Sequence, residues 1–204
     1  LLGYWDFDYF VDDKLIDYAN NLQTGISGTQ PGKLGDGIIL KGVEFDGNYA
    51  QITDPDNSLE PTGDFSISLW YKRVDNGKVQ MIFDGRKLVT KLAEGALIPT
   101  TSASNDYGYS ISTTLDGKVS FGVGSGEDNT QIISADSIGT DWTHIVAKKR
   151  FGKMDLYING ESEDSIDPGI ILFAGNNKKL VGGYHAFPVG KSSAAGIVDE
   201  LSIW

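Results

Sequence analysis

The stretch Phe65 to Arg73 reads FSISLWYKR, and its alternation decides the class of fold. Phe65, Ile67, Leu69 and Tyr71 fall on one side of an extended chain and Ser66, Ser68, Trp70 and Lys72 on the other, the period of two of a sheet strand. The same period recurs outward in both directions. It is read in VQMIFD (79–84), YGYSIST (107–113), KVSFGVG (118–124), TQIISA (130–135), WTHIVAKK (142–149), KMDLYING (153–160), KKLVGG (178–183) and GIVDELSIW (196–204). Helical periodicity is almost absent.

Between these runs stand Asp75-Asn76-Gly77, Asp84-Gly85, Asp116-Gly117, Asn159-Gly160 and Gly182-Gly183, residues that tolerate the positive φ of tight hairpins. Many short strands, with 26 glycines to serve the turns, predict an all-β, two-sheet antiparallel sandwich of the jelly-roll kind. Two segments break the rhythm. Asn20 to Lys41 is rich in glycine and polar residues and reads as a long connection; Lys87 to Asp106 is the second, and its KLVTKLAEGAL portion is where a short helix is expected. Loops of this length are often functional.

A chain of 204 residues with 40% hydrophobic content buries one core, so a single domain over 1–204 is expected. No run approaches the ~18 consecutive apolar residues of a membrane span, and LLGYWDFD lacks the basic start of a secretion signal. The opening without methionine points to a piece excised from a longer protein. A formal charge of −11 repels phosphate backbones, and Lys148-Lys149-Arg150 is the only basic cluster, which argues against nucleic acid. The absence of cysteine excludes disulfides and thiolate metal sites.

LLGYWDFD (1–8), GVEFDGNYAQI (42–52), DFSISLWYK (64–72), LDGKVSFGV (115–123), DWTHIVAKK (141–149), MDLYINGE (154–161) and GIVDELSIW (196–204) follow one another along the chain. In that order they resemble the laminin-G-like, concanavalin A-like jelly-roll domains. The resemblance implies the fold for the whole chain and leaves function open, since the scaffold serves many tasks. It implies a structural role for the strand carrying Trp142, His144 and Val146, with His144 a buried neutral imidazole. It also implies one structural Ca²⁺ where the first and last strands meet, with Asp199 as carboxylate, Asp46-Gly47 as the turn, and Asp6 or Asp8 as the N-terminal contribution. The other reading of Asp199 is that it caps a bulge or accepts main-chain N–H groups.

Chemistry is harder to find. No E-x-D-x-E strand offers the paired carboxylates of a glycosidase, and Glu161-Ser162-Glu163-Asp164 reads as a solvated loop. No G-x-S-x-G turn is present, and only His185 is left to act as a base. An enzyme, whether lyase or glycosidase, is therefore not expected. Sugar recognition asks for aromatic faces beside planar polar groups. The candidates are Arg86, Asn105, Asp106, Tyr107 and Tyr109 around the second long segment, with Tyr184 and His185 (and Phe187) in the glycine-rich loop; Trp5, Trp70, Trp142 and Trp204 are assigned to the core. The sequence thus reads as a non-catalytic carbohydrate-binding module of an extracellular, cell-surface or virion-surface protein. The alternative is a structural or adhesion domain of a virion, tail fibre, capsid decoration or adhesin array, acting through contacts with neighbouring protein subunits.

Overall fold

The structure is a computed structural model, and it describes residues 1–28, 32–60, 63–88, 106–125, 129–168, 178–184, 191–192 and 194–204. Among these residues there is no helix and there are nineteen strands. The first half contains β1 (Gly3–Trp5), β2 (Lys14–Leu15), β3 (Gln23–Gly28), β4 (Lys33–Asp36), β5 (Lys41–Asp46), β6 (Asn48–Thr53), β7 (Phe65–Arg73), β8 (Gln80–Asp84) and β9 (Lys87–Leu88). The second half contains β10 (Asp106–Thr113), β11 (Lys118–Ser125), β12 (Asn129–Ser137), β13 (Trp142–Arg150), β14 (Lys153–Ile158), β15 (Glu161–Ile166), β16 (Lys178–Val181), β17 (Gly183–Tyr184), β18 (Lys191–Ser192) and β19 (Ala195–Ile203).

They form an eight-stranded sheet in the order β15-β14-β13-β7-β19-β5-β4, with β1 on β19. A nine-stranded sheet runs β12-β11-β10-β8-β16-β6-β3-β2, with β9 on β10, and β17 pairs with β18. The chain crosses from one sheet to the other between β5 and β6, β6 and β7, β7 and β8, β12 and β13, and β15 and β16, while β10–β11–β12 and β13–β14–β15 each run as an antiparallel meander within one sheet. Phe65, Ile67, Leu69 and Tyr71 point inward from the first sheet as expected, and Phe83, Tyr109, Ile111 and Phe121 meet them from the second. Tyr109 stacks on Phe83 at 5.6 Å between ring centroids and touches Phe65 at 5.0 Å. Burying rings of this size supplies the dominant stabilising term.

Strand β13 lies with the opposite face inward from the one expected. Thr143, Ile145 and Ala147 are buried, whereas Trp142, His144 and Val146 are half-buried on the outer surface. The register with β7 explains this, because it sets Ile145 opposite the core residue Leu69 and Ala147 opposite Ile67. His144 stacks on Trp70 at 4.8 Å, and its Nε2 lies 2.8 Å from Ser68 Oγ. Partial burial lowers the imidazole pKa below its ordinary value, so the ring stays neutral and structural. Of the four tryptophans only Trp5 is fully enclosed, donating from Nε1 to Thr24 Oγ1 at 2.9 Å, while Trp204 is 56% exposed.

Two stretches read as loops are strands. The connection from Asn20 to Lys41 contains β3 and β4, and Glu161 to Asp164 belongs to edge strand β15. Residues 89–105, including most of the expected short helix, lie outside the described residues.

Three buried aspartates hold the irregular segments to the sheets. Asp17 Oδ1 accepts from the N–H groups of Tyr4 and Ala19, and Oδ2 from those of Asn20 and Leu22. Asp54 accepts from Ser58 N–H, Ser58 Oγ–H and Leu59 N–H, with Lys179 Nζ 3.7 Å from its Oδ2. Asp199 sits at a bulge in β19, where Oδ2 accepts from Ile38 and Ile39 N–H and Oδ1 from Glu200 N–H. Gly37 makes that approach possible, since a Cβ there would stand 2.5 Å from Asp199 Oδ2 and 2.4 Å from Lys41 O.

Asp17→Ala is expected to leave its backbone donors unsatisfied and to lower stability by about 3 kcal/mol, read by urea denaturation. Asp199→Ala should free the β4–β5 tip first: hydrogen exchange at Ile38 and Ile39 would rise before that of β7 amides, and unchanged protection there would refute the clamp.

Candidate functional site

The outer face of the nine-stranded sheet carries the residues that alternate with its core. On β10, Ser110 and Ser112 point away from Tyr109, Ile111 and Thr113; on β11, Ser120 and Gly122 point away from Val119, Phe121 and Val123. Register lines these up in two rows, Asp84-Ser110-Gly122-Gln131 and Met81-Ser112-Ser120. All of these except the fully buried Asp84, together with Thr130 and Arg86, line a groove of ≈ 310 Å³. Serine and glycine leave this face concave, and the strands fix each hydroxyl in place.

Arg86 follows β8 directly and is held by the fully buried Asp84. Its Nε donates to Oδ1 at 2.7 Å, its Nη2 to Oδ2 at 3.0 Å, and its backbone N–H to Oδ1 at 3.1 Å. This bidentate pairing locks the guanidinium and cancels most of its charge, so Arg86 serves as a rigid hydrogen-bond donor at the groove. The sequence offers Arg86 as a binding candidate and Asp84 only as part of an expected hairpin turn. That turn is corrected, because β8 and β9 both pair with β10 and Gly85-Arg86 carry the chain straight on between them; the D-x-R spacing was the available signal for the pairing.

The other expected binding residues divide. Asp106 and Tyr107 are brought beside Arg86 by the backbone, since β9 pairs Leu88 with Asp106 and Lys87 with Tyr107. Tyr184 lies on β17, which packs against β8 next to this edge. Asn105, His185 and Phe187 lie outside the described residues. Tyr109 is a correction. Its ring is fully buried, its hydroxyl donates to Leu59 O at 2.8 Å, and burial raises its pKa, so it belongs to the core and offers no face to a sugar.

The calcium arrangement does not fit at Asp199. All three hydrogen bonds to its carboxylate come from main-chain N–H groups, where a cation would need further oxygen ligands. Burial pushes this carboxyl up to about 6, against the opposing pull of those N–H groups. Asp46 is exposed and stands opposite Ala195, at the far end of the β5–β19 pairing, with Gly47 beside it in the turn. Asp6 Oδ1 accepts from Asp8 N–H at 3.2 Å, and Asp8 Oδ1 from Lys41 N–H at 2.9 Å. Among the described residues no three acidic or histidine side chains gather to hold an ion.

Residues 46–204 match the profile of a family described as the concanavalin A-like lectin/glucanases superfamily. No curated protein sequence matches the chain. Solved structures of similar fold include the binding domain of botulinum neurotoxin DC in complex with SialylT, at 17% identity and a TM-score of 0.67. The same domain in complex with rat synaptotagmin II aligns at 16% identity and 0.68. In both, the alignment covers 100% of this chain and 47% of the other, so the chain spans about half the length of those neurotoxin chains. Domain 4 of an extracellular GH43 arabinanase from Geobacillus stearothermophilus, in complex with arabinotriose, aligns at 19% identity and 0.67, covering 100% of this chain and 91% of that one. At these identities the likeness is one of fold.

Proposed function

The chain belongs to the concanavalin A-like lectin/glucanase superfamily, and from that premise we propose that it is a non-catalytic carbohydrate-recognition module whose glycan lies along the serine- and glycine-lined groove beside Arg86. The observation that carries this reading is the composition and rigidity of that face. Ser110, Ser112, Ser120, Thr130 and Gln131 offer hydroxyl and amide groups at strand spacing, and Arg86 adds donors held by a buried partner. Ordered hydroxyls and amides on rigid strands match the alternating donors and acceptors of a sugar chain. Among the described residues the lining holds no carboxylate, which supports the non-catalytic reading. Two structures of similar fold were solved with glycan ligands, SialylT and arabinotriose, which supports the class of partner. Those relatives include an extracellular enzyme, and a surface or secreted location is proposed on the same basis.

A second reading, recognition of a neighbouring protein, is favoured by one feature. The tip of the β4–β5 hairpin presents Ile39 and Leu40 at 57% and 76% exposure, and a neurotoxin domain of similar fold was solved with a protein partner.

A glycan array with the purified chain tests the first reading. Binding to a defined glycan is expected, and Gly122→Phe should reduce it by about tenfold or more with the melting temperature preserved. The substitution is tolerable because a Cβ at Gly122 meets nothing nearer than Ser110 Oγ at 3.5 Å. Silence across the array would sink the glycan reading, and undiminished binding by the variant would move the site elsewhere.

A further inference from the structure

A second cavity, of ≈ 860 Å³, shares no lining residue with the groove. It opens where β5 and β7 end and β19 begins, and Lys72, Arg73, Val74, Asn76, Lys78 and Thr140 are among its walls. Arg73 continues the inward face of β7 beyond Tyr71 and is only 6% exposed. Its Nη2 donates to Asp75 Oδ1 at 2.8 Å, while Nε is buried with no acceptor. Gly117, at φ +80°, lets the β10–β11 turn rest on the guanidinium, since a Cβ there would stand 2.8 Å from Nη1. A guanidinium carries five donors, and enclosing it with a single acceptor on a mostly exposed aspartate leaves the charge under-compensated.

The surrounding charges lean the same way. Glu44 is neutralised by Lys33 at 2.7 Å and Asp75 is engaged by Arg73, whereas Lys72 and Lys78 enter no ion pair among the described residues. Of the acidic residues in the lining, only Asp46 is left unmatched. A local surplus of positive charge has thus formed in a chain of net charge −11. Planar carboxylates are the anions that match a guanidinium in shape. Val74, 54% exposed, offers an apolar surface to a ring, and Asn76 and Thr140 offer polar groups to hydroxyls.

We propose that this cavity is a second binding site, for a sugar residue bearing a carboxylate, with Arg73 reading the carboxylate and Lys72 and Lys78 drawing it in. The assignment does not depend on the groove.

The test is a titration of the ¹⁵N-labelled chain with methyl β-D-glucuronide and, in parallel, with methyl β-D-glucoside, which differs by the carboxylate. The glucuronide should shift the amides of Val74, Asn76 and Ala195 saturably, and the glucoside should bind about tenfold or more weakly, as expected for loss of a charge-assisted hydrogen bond. Arg73→Gln should erase the difference between the two sugars. Should that variant fail to fold by circular dichroism, the double variant Lys72→Gln/Lys78→Gln decides, weakening the glucuronide and flattening its salt dependence while sparing the glucoside. Equal binding of both sugars, no shift with either, or shifts confined to Ser110 and Gly122 would overturn the proposal.

Discussion

A buried carboxylate must find hydrogen-bond donors, and the irregular parts of this molecule are arranged around that requirement. Asp17, Asp54 and Asp199 each meet it with main-chain N–H groups of a connecting segment. The N-terminal turn, the link into β7 and the β4–β5 tip are fixed in consequence. Asp54 reaches furthest: Leu59, whose N–H it accepts, receives the Tyr109 hydroxyl on its own carbonyl, and Lys179 bridges from Asp54 to Glu60 at 2.8 Å. One carboxylate thereby ties a surface link to the aromatic centre of the core.

The same aromatic centre positions the groove. Because Tyr109 and Ile111 are committed inward, strand pleating commits Ser110 and Ser112 outward, and β11 repeats the pattern with Ser120 and Gly122. The floor of the site is therefore the reverse side of the core, stiffened by the packing beneath it. Arg86, the cation of its described lining, is tied to Asp84, while Arg73 in the other cavity has a single, mostly exposed partner. A tightly paired guanidinium presents direction, whereas a poorly paired one presents charge, and the two recesses differ in character for that reason.

Strand content was legible in the sequence because an alternation of two survives almost any context. Which face turns inward was legible only where the two faces differ strongly. In FSISLWYKR the choice between Phe-Ile-Leu-Tyr and Ser-Ser-Trp-Lys is clear; in WTHIVAKK, Trp-His-Val and Thr-Ile-Ala are both plausible interiors, and only the register against β7 decides. Tyr109 misled for a related reason, since a tyrosine beside a long loop suits a binding face as readily as a core whose hydroxyl finds a carbonyl. β3 and β4 were hidden by glycine and polar residues, which β4 admits as the end strand of its sheet and β3 because its outer side meets only the two-residue β2. The Asp84–Arg86 pairing and the Asp199 clamp depend on approach between residues whose partners no local pattern names.

Strand β15 closes one end of its sheet with Glu161, Glu163 and Asp164, and Glu163 Oε2 accepts the Ala135 N–H of β12, the end strand of the facing sheet, at 2.9 Å. Electrostatic repulsion between like edges and a capped amide together discourage a second copy from extending either ladder. At that end of the sandwich, crowding copies together does not by itself favour their joining through the backbone.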